Sequence, residues 1–459
     1  MPPAFDMGVV PADVIGIVAK LRDAGARAWL VGGGVRDALR GQPAADWDIA
    51  TDAPPDRLLV VFPRAVPTGL KHGTVTVVVG ERHYEVTTLR GETTYTDGRR
   101  PDAVQFVGDI AADLARRDFT VNAIAVDPTT GAVIDPFGGL RDLAAGVLRA
   151  VGDPCARFAE DGLRVLRAAR FRATLGFELD PATAAAIGPT LGTFAKVSAE
   201  RVRDEWCKTM RAAQPSRAFE LMRETGMLAI TCPELLEGVG LSQNKWHEFD
   251  VWKHAMACLD ACTGDPVLRI AALLHDVGKP RTRAFSDKTK DWTFYEHDRI
   301  GAEIADPICE RLKFSNDERQ RIVALVRHHL FHYDQWSDAA VRRWIRRVGQ
   351  ERLEDLFRLG EADVRGKAVA VGAEDLQPLQ ALREHVARVL AAGAVLSARD
   401  LAVDGHDLMR ELGMPPGPAL GVVIDRLLDQ VLADPARNER ATLLALAREF
   451  VAEPPTGAA

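Results

Sequence analysis

The chain has 459 residues, enough for about three domains at a typical length of about 150 residues per domain. Its 47% hydrophobic and 27% charged residues are typical of a soluble globular protein. The 58 basic and 65 acidic residues give a net charge of −7, which argues against a general nucleic-acid binder.

The cysteines and the N-terminus indicate the compartment. None of the six cysteines belongs to a CxxC pair, so they match neither a zinc ribbon nor a small secreted disulfide framework. The N-terminus lacks a basic stretch followed by an apolar core, and no run of about 18 apolar residues occurs in the chain. We therefore expect a cytoplasmic protein with reduced thiols, no signal peptide and no membrane span.

The predicted elements change character along the chain. Strand-like runs occur at 28–32, 74–79 and 83–89, and helical periodicity occurs at 14–25 and 35–41. From about residue 141 onward helical spacing dominates, with breaks expected at GPTLG (188–192), DPVL (265–268) and SDAA (337–340). We predict an α+β N-terminal domain with a mixed sheet, an all-helical remainder, and a disordered tail at 452–459.

A glycine turn precedes a pair of carboxylates. Gly32, Gly33 and Gly34 follow a predicted strand, where backbone N–H groups can approach a phosphate. The spacing fits neither the dinucleotide-binding nor the Walker pattern, and a plain tight turn is the alternative. Asp46 and Asp48, two apart on an extended strand, project from one face and suit Mg²⁺ bound together with nucleotide phosphates. A solvated turn is the alternative for this pair.

Arginines accompany one aspartate in a later segment. Residues 160–170, EDGLRVLRAAR, are predicted to be helical. Because residues three apart share a helix face, Asp161 and Arg164 are expected to be neighbours that can bond to the edge of a base. The alternative is a solvated ion pair. Arg170 is expected to face nearly opposite Asp161.

Six segments in order resemble one enzyme family. They are GGGVRD, DWDIAT, EVTTLRGETTYTDGRRPDAVQF, RRDFTVNAIAVD, IDPFGGLRDL and RFAEDGLRVLRAARF. Their order is similar to that of the bacterial class II tRNA nucleotidyltransferases, which are the CCA-adding enzymes and their poly(A) polymerase relatives, densely over 28–240. That family adds C, C and A to the tRNA 3′ end without a nucleic-acid template, using Mg²⁺. The resemblance therefore implies tRNA, CTP and ATP as partners.

The resemblance also implies residue roles by position. Asp46 and Asp48 would be the catalytic carboxylates that bind Mg²⁺. The residues implied to bind the nucleotide are Gly33, Arg36, Arg117, Asp161, Arg164, Arg167 and Arg170. Among these, Asp161 and Arg164 would pair with the base as a protein template, since ATP and CTP both offer an amine donor beside a ring acceptor. Glu85 is a third candidate carboxylate, and an ordinary exposed strand glutamate is the alternative.

The polar segment 90–100, RGETTYTDGRR, resembles the mobile loop that this family needs for switching from C to A addition. Its presence favours full CCA addition over addition of CC alone. A plain surface loop is the alternative.

Histidines and aspartates recur in the helical half. The candidate metal ligands there are His254, His275, Asp276, His297, His328 and Asp363. Imidazoles and carboxylates from different helices suit a transition metal such as Mn²⁺, Ni²⁺ or Fe²⁺, with a bound water activated for phosphate-ester hydrolysis. The pattern resembles the HD-domain phosphohydrolases over about 250–365. A degenerate HD domain that only packs or binds RNA is the alternative.

We predict four regions in total. They are a nucleotidyltransferase head at 1–140, a helical base- and tRNA-binding region at 141–245, an HD domain at 246–370, and a C-terminal helical unit at 371–459. The basic helix at 340–347 is either a tRNA-backbone surface or a solvated face over the core. Two other functions remain open: a poly(A) polymerase of the same superfamily, and an RNA-binding HD hydrolase with an inactive transferase domain. The oligomeric state is not predicted.

Overall fold

The computed structural model describes residues 5–44, 46–70, 73–91, 106–245, 247–331, 333–368, 370–393 and 395–452. Residues 92–100 of the predicted mobile loop and 453–459 of the predicted disordered tail lie outside the described residues. The chain divides into two units, Met1–Leu236 and Glu237–Ala459, and each has its own hydrophobic core.

The first unit contains a seven-stranded mixed sheet. Its strands are β1 (Ala28–Val31), β2 (Asp48–Thr51), β3 (Val66–Gly69), β4 (Thr74–Val79), β5 (Arg82–Thr88), β6 (Ala125–Val126) and β7 (Val133–Ile134). They lie in the order β3-β4-β5-β2-β1-β6-β7, with β2 and β5 parallel and the other neighbours antiparallel. The three predicted strands are confirmed as β1, β4 and β5.

The middle of this sheet is packed on both faces because successive side chains of its central strands enter two different hydrophobic cores in turn. Leu30 and Ile49 enter one core, and Val31 and Ala50 enter the other. The antiparallel register places Val31, the last residue of β1, opposite Asp48, the first residue of β2. The glycine turn after β1 therefore lies beside the predicted carboxylates.

Twelve helices and a second small sheet complete the described part of the first unit. The helices are α1 (Ala12–Asp23), α2 (Gly33–Leu39), α3 (Pro55–Val61), α4 (Ile110–Ala115), α5 (Gly139–Ala145), α6 (Pro154–Glu160), α7 (Leu163–Leu175), α8 (Pro181–Ala185), α9 (Ile187–Phe194), α10 (Ala199–Thr209), α11 (Ser216–Glu224) and α12 (Met227–Thr231), and the strands are β8 (Val147–Leu148) and β9 (Glu178–Leu179). The break predicted at 188–192 is wrong, since this segment lies inside α9. Its proline is in the first helical turn, where a missing N–H costs no hydrogen bond.

The second unit is helical except for one hairpin in its described residues. The helices are α13 (Val251–Ala261), α14 (Pro266–Leu274), α15 (Lys279–Thr282), α16 (His297–Arg311), α17 (Asn316–His328), α18 (Asp338–Val348), α19 (Leu353–Arg365), α20 (Ala373–Ala391), α21 (Gly405–Leu412), α22 (Pro418–Ala433) and α23 (Arg440–Ala452), and the hairpin strands are β10 (Ala284–Ser286) and β11 (Asp291–Thr293). The breaks predicted at DPVL and SDAA are confirmed, since Asp265 and Ser337 cap α14 and α18. Among the described residues, none of these helices is both long and apolar enough to cross a bilayer.

Candidate functional site

The glycine turn after β1 is held tightly against the two carboxylates. Gly32 has a φ of +79°, and a Cβ there would lie 2.6 Å from Oδ2 of Asp48. A Cβ on Gly34 would lie 2.5 Å from the backbone oxygen of Asp46. Both positions therefore require glycine, because a side chain would push the turn off the carboxylates.

Asp48 lies in a charged and mostly buried position. Burial, together with the neighbouring carboxylates of Glu85 and Asp46, raises its pKa to about 6 against the opposing charges of Arg117 and Arg167. Asp46 and Glu85 are exposed. The parallel pairing of β2 with β5 brings Glu85 beside Asp48, so the third candidate carboxylate lies at this site.

The donor set fits Mg²⁺ that is completed by a nucleotide. Within the described ranges, these three carboxylates do not form a group whose ligand atoms all lie within 4.8 Å of one another. A closed protein cage is not needed, since Mg²⁺ is commonly held by one or two carboxylates together with substrate phosphates. A bound divalent cation would offset the burial and the carboxylate repulsion that raise the pKa of Asp48.

A hydrogen-bonded chain of buried polar groups links the head to α7. The guanidinium of Arg36 donates to both carboxylate oxygens of Asp37 at 2.9 Å and to Oδ1 of Asn122 at 2.7 Å. Asn122 donates to Asp118 at 3.0 Å, and Nε of Arg167 donates to the other oxygen of Asp118 at 2.7 Å. Arg36 is therefore occupied by protein groups, and its predicted nucleotide contact stays a prediction.

Three arginines surround the ring of Phe171. The guanidinium carbons of Arg36, Arg167 and Arg170 lie 5.3, 5.2 and 4.0 Å from the ring centroid. Arg170 also donates to Glu205 at 2.5 Å. The structure thus gathers three of the predicted nucleotide-binding arginines around one aromatic ring.

Arg117 keeps an unused donor beside the carboxylates. Its Nη1 donates to the backbone oxygen of Asn122 at 3.3 Å and its Nη2 to Asp113 at 3.4 Å. Its Nε is buried and has no hydrogen-bond partner among the described residues. The Nη1 atom of the same guanidinium lies 3.4 Å from the position that a Cβ on Gly32 would occupy, so the positive charge of Arg117 is beside the glycine turn.

The unbroken helix predicted over 160–170 is wrong, but Asp161 and Arg164 remain neighbours, since the backbone N–H of Arg164 donates to the backbone oxygen of Asp161 at 3.0 Å. Asp161 follows α6 in an extended conformation with a φ of −143°, so the helix predicted over 160–170 is broken at this residue. Its carboxylate accepts from the backbone N–H of Leu163 at 3.0 Å and from Arg201 at 2.7 Å.

Arg164 is buried and makes other contacts. Its guanidinium donates to Glu160 at 2.6 Å and to the backbone oxygens of Arg157 and Arg116 at 2.8 and 2.9 Å. Asp161 and Arg164 lie near the arginines that surround Phe171, but the side chains of Asp161 and Arg164 do not contact each other among the described residues.

Sequence reasoning missed four residues of this network: Asp118, Asn122, Arg201 and Glu205. Asp118 and Asn122 belong to the RRDFTVN segment, which carries the family resemblance, so a signal for them was present. Arg201 and Glu205 are four apart on α10 and therefore share a face, but this spacing is common in solvated helices.

A second site is formed by histidines from separate helices around Asp276. Oδ2 of Asp276 lies 3.1 Å from Nε2 of both His254 and His275. Oδ1 lies 3.4 Å from Nε2 of His297 and 3.7 Å from Nε2 of His329. The two oxygens of one buried carboxylate thus face two separate pairs of imidazoles, and each trio has ligand atoms within 4.8 Å of one another.

The other ring nitrogen of each histidine meets a backbone carbonyl. The Nδ1–O distances are 3.0 Å for His254, 2.7 Å for His275, 2.6 Å for His297 and 2.7 Å for His329. Because Nδ1 is held at a carbonyl, Nε2 is the atom directed toward Asp276 in each ring, which is how metal-binding histidines are oriented. The donor set therefore fits a transition metal.

Charges around Asp276 are balanced by the protein itself. Burial alone would lower the pKa of His254, but hydrogen bonds to Asp276 and Asp363 raise it to about 9. Nε2 of His254 lies 3.1 Å from Asp363, and Nζ of Lys279 lies 2.6 Å from Asp276. Burial holds the pKa of His329 down to about 3, so this ring is neutral and able to act as a ligand.

The choice of His328 as a ligand is corrected to His329. His328 is the last residue of α17 and lies among Arg347, Arg327 and Arg352, with its pKa lowered by partial burial and by these charges. Adjacent helical residues point about 100° apart, so only one of the two can face Asp276.

Two arginines of the basic helix α18, Arg342 and Arg346, make contacts within the protein. Arg342 is buried and donates to the backbone oxygens of Leu432 and Ala433 at the end of α22. Arg346 pairs with Asp425 and Asp429.

Family models and relatives match both units. A model described as "Poly A polymerase head domain" matches residues 28–149, one described as "Probable RNA and SrmB- binding site of polymerase A" matches 176–238, and one for tRNA nucleotidyltransferase domain 2 matches 284–447. The chain is 32% identical over 442 residues to a CCA-adding enzyme of Streptococcus pyogenes, covering 95% of this chain and 96% of the relative. It is also 32% identical over 438 residues to a CCA-adding enzyme of Limosilactobacillus fermentum, again covering 95% and 96%.

Solved structures agree with this likeness. The CCA-adding enzyme of Bacillus stearothermophilus in complex with CTP has a TM-score of 0.68 and 28% identity, with 98% of each chain covered. The Thermotoga maritima CCA-adding enzyme complexed with tRNA has a TM-score of 0.53 at 18% identity over 96% of each chain, which supports the fold alone.

Proposed function

The chain belongs to the family of CCA-adding tRNA nucleotidyltransferases, and we propose that it adds C, C and A to the tRNA 3′ end from CTP and ATP without a nucleic-acid template. The observation that carries the proposal is the placement of Asp48 and Asp46 against the glycine turn, with the guanidinium of Arg117 beside the same turn. We assign the reaction to the cytoplasm, which the six cysteine thiols support.

In this reaction the 3′ hydroxyl of the tRNA forms a new bond to the α-phosphorus of the nucleotide, and pyrophosphate leaves. Asp46 and Asp48 would hold Mg²⁺, which when bound supplies charge stabilisation at the phosphates and activates the attacking hydroxyl. Arg117 would bind the triphosphate through its guanidinium, whose Nη1 lies beside the Gly32 turn. The Gly32 turn lets the backbone lie against Asp48, because a Cβ there would be 2.6 Å from Oδ2 of that carboxylate.

The test supplies purified protein with Mg²⁺, a tRNA that lacks its 3′ CCA, and each nucleoside triphosphate separately. We expect incorporation from CTP first and from ATP only after two cytidines are in place. Long A tracts would support the poly(A) polymerase alternative. Absence of any incorporation would support an inactive transferase domain.

Replacing Asp161 and Arg164 together by alanine is expected to relax nucleotide choice. We propose that these two residues read the base edge, and that Arg164 leaves Glu160 when a base binds. The measurement is the ratio of kcat/KM for CTP to that for UTP, which we expect to fall by at least about tenfold, since one polar base contact contributes about 1–3 kcal/mol of discrimination.

The matched control for the double variant is Arg201→Ala. It removes the partner of Asp161 but leaves both base-reading side chains in place. Retained discrimination against UTP and GTP in a folded double variant would refute the protein template.

A second activity is favoured by the histidine cluster. We propose that His254, His275, Asp276, His297, His329 and Asp363 hold one or two transition-metal ions such as Mn²⁺, Ni²⁺ or Fe²⁺ for phosphate-ester hydrolysis. The inward Nε2 atoms around the two oxygens of Asp276 support this proposal. When bound, the metal would supply an activated water.

His275→Ala is expected to end metal-dependent hydrolysis of p-nitrophenyl phosphate without changing nucleotide addition to tRNA. His275 contributes an Nε2 beside Asp276, and the cluster lies in the second unit. The neighbouring histidines provide a matched pair of further variants, since His329→Ala should lower hydrolysis whereas His328→Ala should not. Equal hydrolysis by the His275→Ala, His329→Ala and His328→Ala proteins would contradict the metal assignment.

A further inference from the structure

The β10–β11 hairpin carries aromatic side chains that the proposed functions do not use. Phe285 is 53% exposed and Tyr295, two residues after β11, is 78% exposed. Trp292 lies beside Phe285 with ring centroids 5.4 Å apart, and the guanidinium of Arg283 lies 3.5 Å from the centre of a Trp292 ring. Rings that are this exposed are not packed into a hydrophobic core, so they are available to bind a ligand.

The hairpin leads directly into the histidine cluster. The backbone oxygen of Phe294 accepts from Nδ1 of His297 at 2.6 Å. Nζ of Lys279 lies 5.7 Å from the ring of Phe294 and 2.6 Å from Asp276. Tyr295 lies between Phe294 and His297 along the chain, and two residues of extended chain span at most about 7 Å. The backbone of Tyr295 therefore lies within about 7 Å of that of His297, which is a residue of the histidine cluster.

The charge of this segment favours RNA over a protein partner. Residues 279–295 include five basic and two acidic residues, and three of the basic groups pair with carboxylates: Lys279 with Asp276, Arg281 with Glu237 and Lys290 with Asp287. Lys288 and Lys290 at the hairpin tip are exposed. Alternating exposed rings and cations are the features that bind single-stranded nucleic acid, where bases stack on the rings and phosphates contact the cations.

We propose that the hairpin is a stacking site for the unpaired end of an RNA, with Phe285 and Tyr295 receiving bases and the terminal phosphate directed to the histidine cluster. The part of this inference that directs the terminal phosphate to the histidine cluster rests on the proposed hydrolase activity. The binding of RNA to the hairpin does not rest on that activity, because stacking on the hairpin requires neither a metal nor turnover.

The experiment uses the full chain, without divalent metal, and a fluorescein-labelled pentauridylate that carries one 4-thiouridine. We expect photocrosslinks within residues 284–296 and binding at least about tenfold weaker in the Phe285→Ala/Tyr295→Ala protein, the loss expected for one or two unstacked bases. The Phe285→Tyr/Tyr295→Phe protein keeps both rings and should bind like the wild type. Circular dichroism confirms folding, and Tyr295→Ala alone, which removes a 78% exposed ring, provides a second variant.

Crosslinks confined to residues 28–236, or unchanged affinity in the alanine variants, would overturn the stacking site and leave the aromatic face to a protein partner. His275→Ala separates the two proposals. It should abolish hydrolysis yet retain the hairpin crosslink, so a failure of the hydrolase proposal leaves the crosslink result intact.

Discussion

Asp48→Ala is expected to lower nucleotide incorporation into tRNA by at least about 10³-fold, since the substitution removes the inner carboxylate of the proposed Mg²⁺ site. Asp46 and Glu85 are both exposed and cannot replace a carboxylate held under the glycine turn. KM for tRNA should change little, because Asp48 is placed to act on the nucleotide phosphates.

The same substitution should not unfold the metal-free protein. The folded-state pKa of Asp48 is raised to about 6 from an ordinary value of 3.8. An acid with a raised pKa holds more protons when folded than when unfolded, so it destabilises the fold as pH rises through this window. At neutral pH the charged form costs up to about 3 kcal/mol, since one pKa unit is about 1.4 kcal/mol. Asp48→Ala relieves this cost.

Thermal unfolding with and without Mg²⁺ and nucleotide checks this account together with the incorporation rate. Asp56→Ala, which removes an exposed carboxylate in the first turn of α3, is the control and should behave like the wild type. Turnover like that of the wild type in Asp48→Ala would refute the metal assignment.

Asp118→Asn is expected to destabilise the first unit by about 3 kcal/mol. Burial alone would raise the pKa of Asp118, but the charges and hydrogen bonds of Arg167 and Asn122 hold it well below its usual range. Removing the charge leaves Arg167 without its partner. The figure is at the lower end of the range for breaking a buried ion pair, because the Arg167 side chain keeps 31% of its surface in solvent.

This loss should depend on pH with a definite sign. A carboxyl whose pKa is lower in the folded state contributes stability above its unfolded pKa of about 3.9 and loses it as pH falls further. The difference in unfolding free energy between Asp118→Asn and the wild type should therefore be largest near neutral pH and shrink below about pH 4. Urea unfolding at several pH values measures it.

The control for Asp118→Asn is Asp204→Asn. Asp204 pairs with Arg203 at 2.7 Å, but 54% of its side chain is exposed. Such a surface pair contributes at most about 1 kcal/mol. Equal destabilisation by the two substitutions would contradict the proposed importance of the buried network.

The strands around the site could be predicted because their residue pattern is local. The β-rich runs at 28–32, 74–79 and 83–89 became β1, β4 and β5 within one or two residues. The placement of Asp48 beside the glycine turn could not be predicted from spacing alone, since it depends on the antiparallel register of β1 with β2.

Two of the wrong predictions, for the helix at 160–170 and for His328, have physical causes that the periodicity of the sequence does not reveal. The segment 160–170 has helical spacing, but Asp161 adopts an extended conformation, and its carboxylate accepts from Arg201 on a distant helix. The choice between His328 and His329 depended on which face of α17 packs toward Asp276, and adjacent histidines give the same local signal.

The net charge of −7 did not exclude an RNA substrate, because its distribution matters more than its sum. All five arginines in 157–172 make ion pairs with nearby carboxylates, as Arg157 does with Glu160, and Arg346 on α18 pairs with two aspartates. Arg343 and Arg347 remain exposed on α18. The positive surface available to RNA is therefore narrower than the sequence suggested.

The central claim is tested most directly by sequencing tRNA 3′ ends after reaction with all four nucleoside triphosphates and Mg²⁺. Three starting substrates are needed, which end before the CCA, after the first C and after the second C. We expect all three to converge on CCA and to stop there, and we expect Asp48→Ala to leave all three unchanged. Ends that continue into A tracts, or that stop at CC in the presence of ATP, would contradict it.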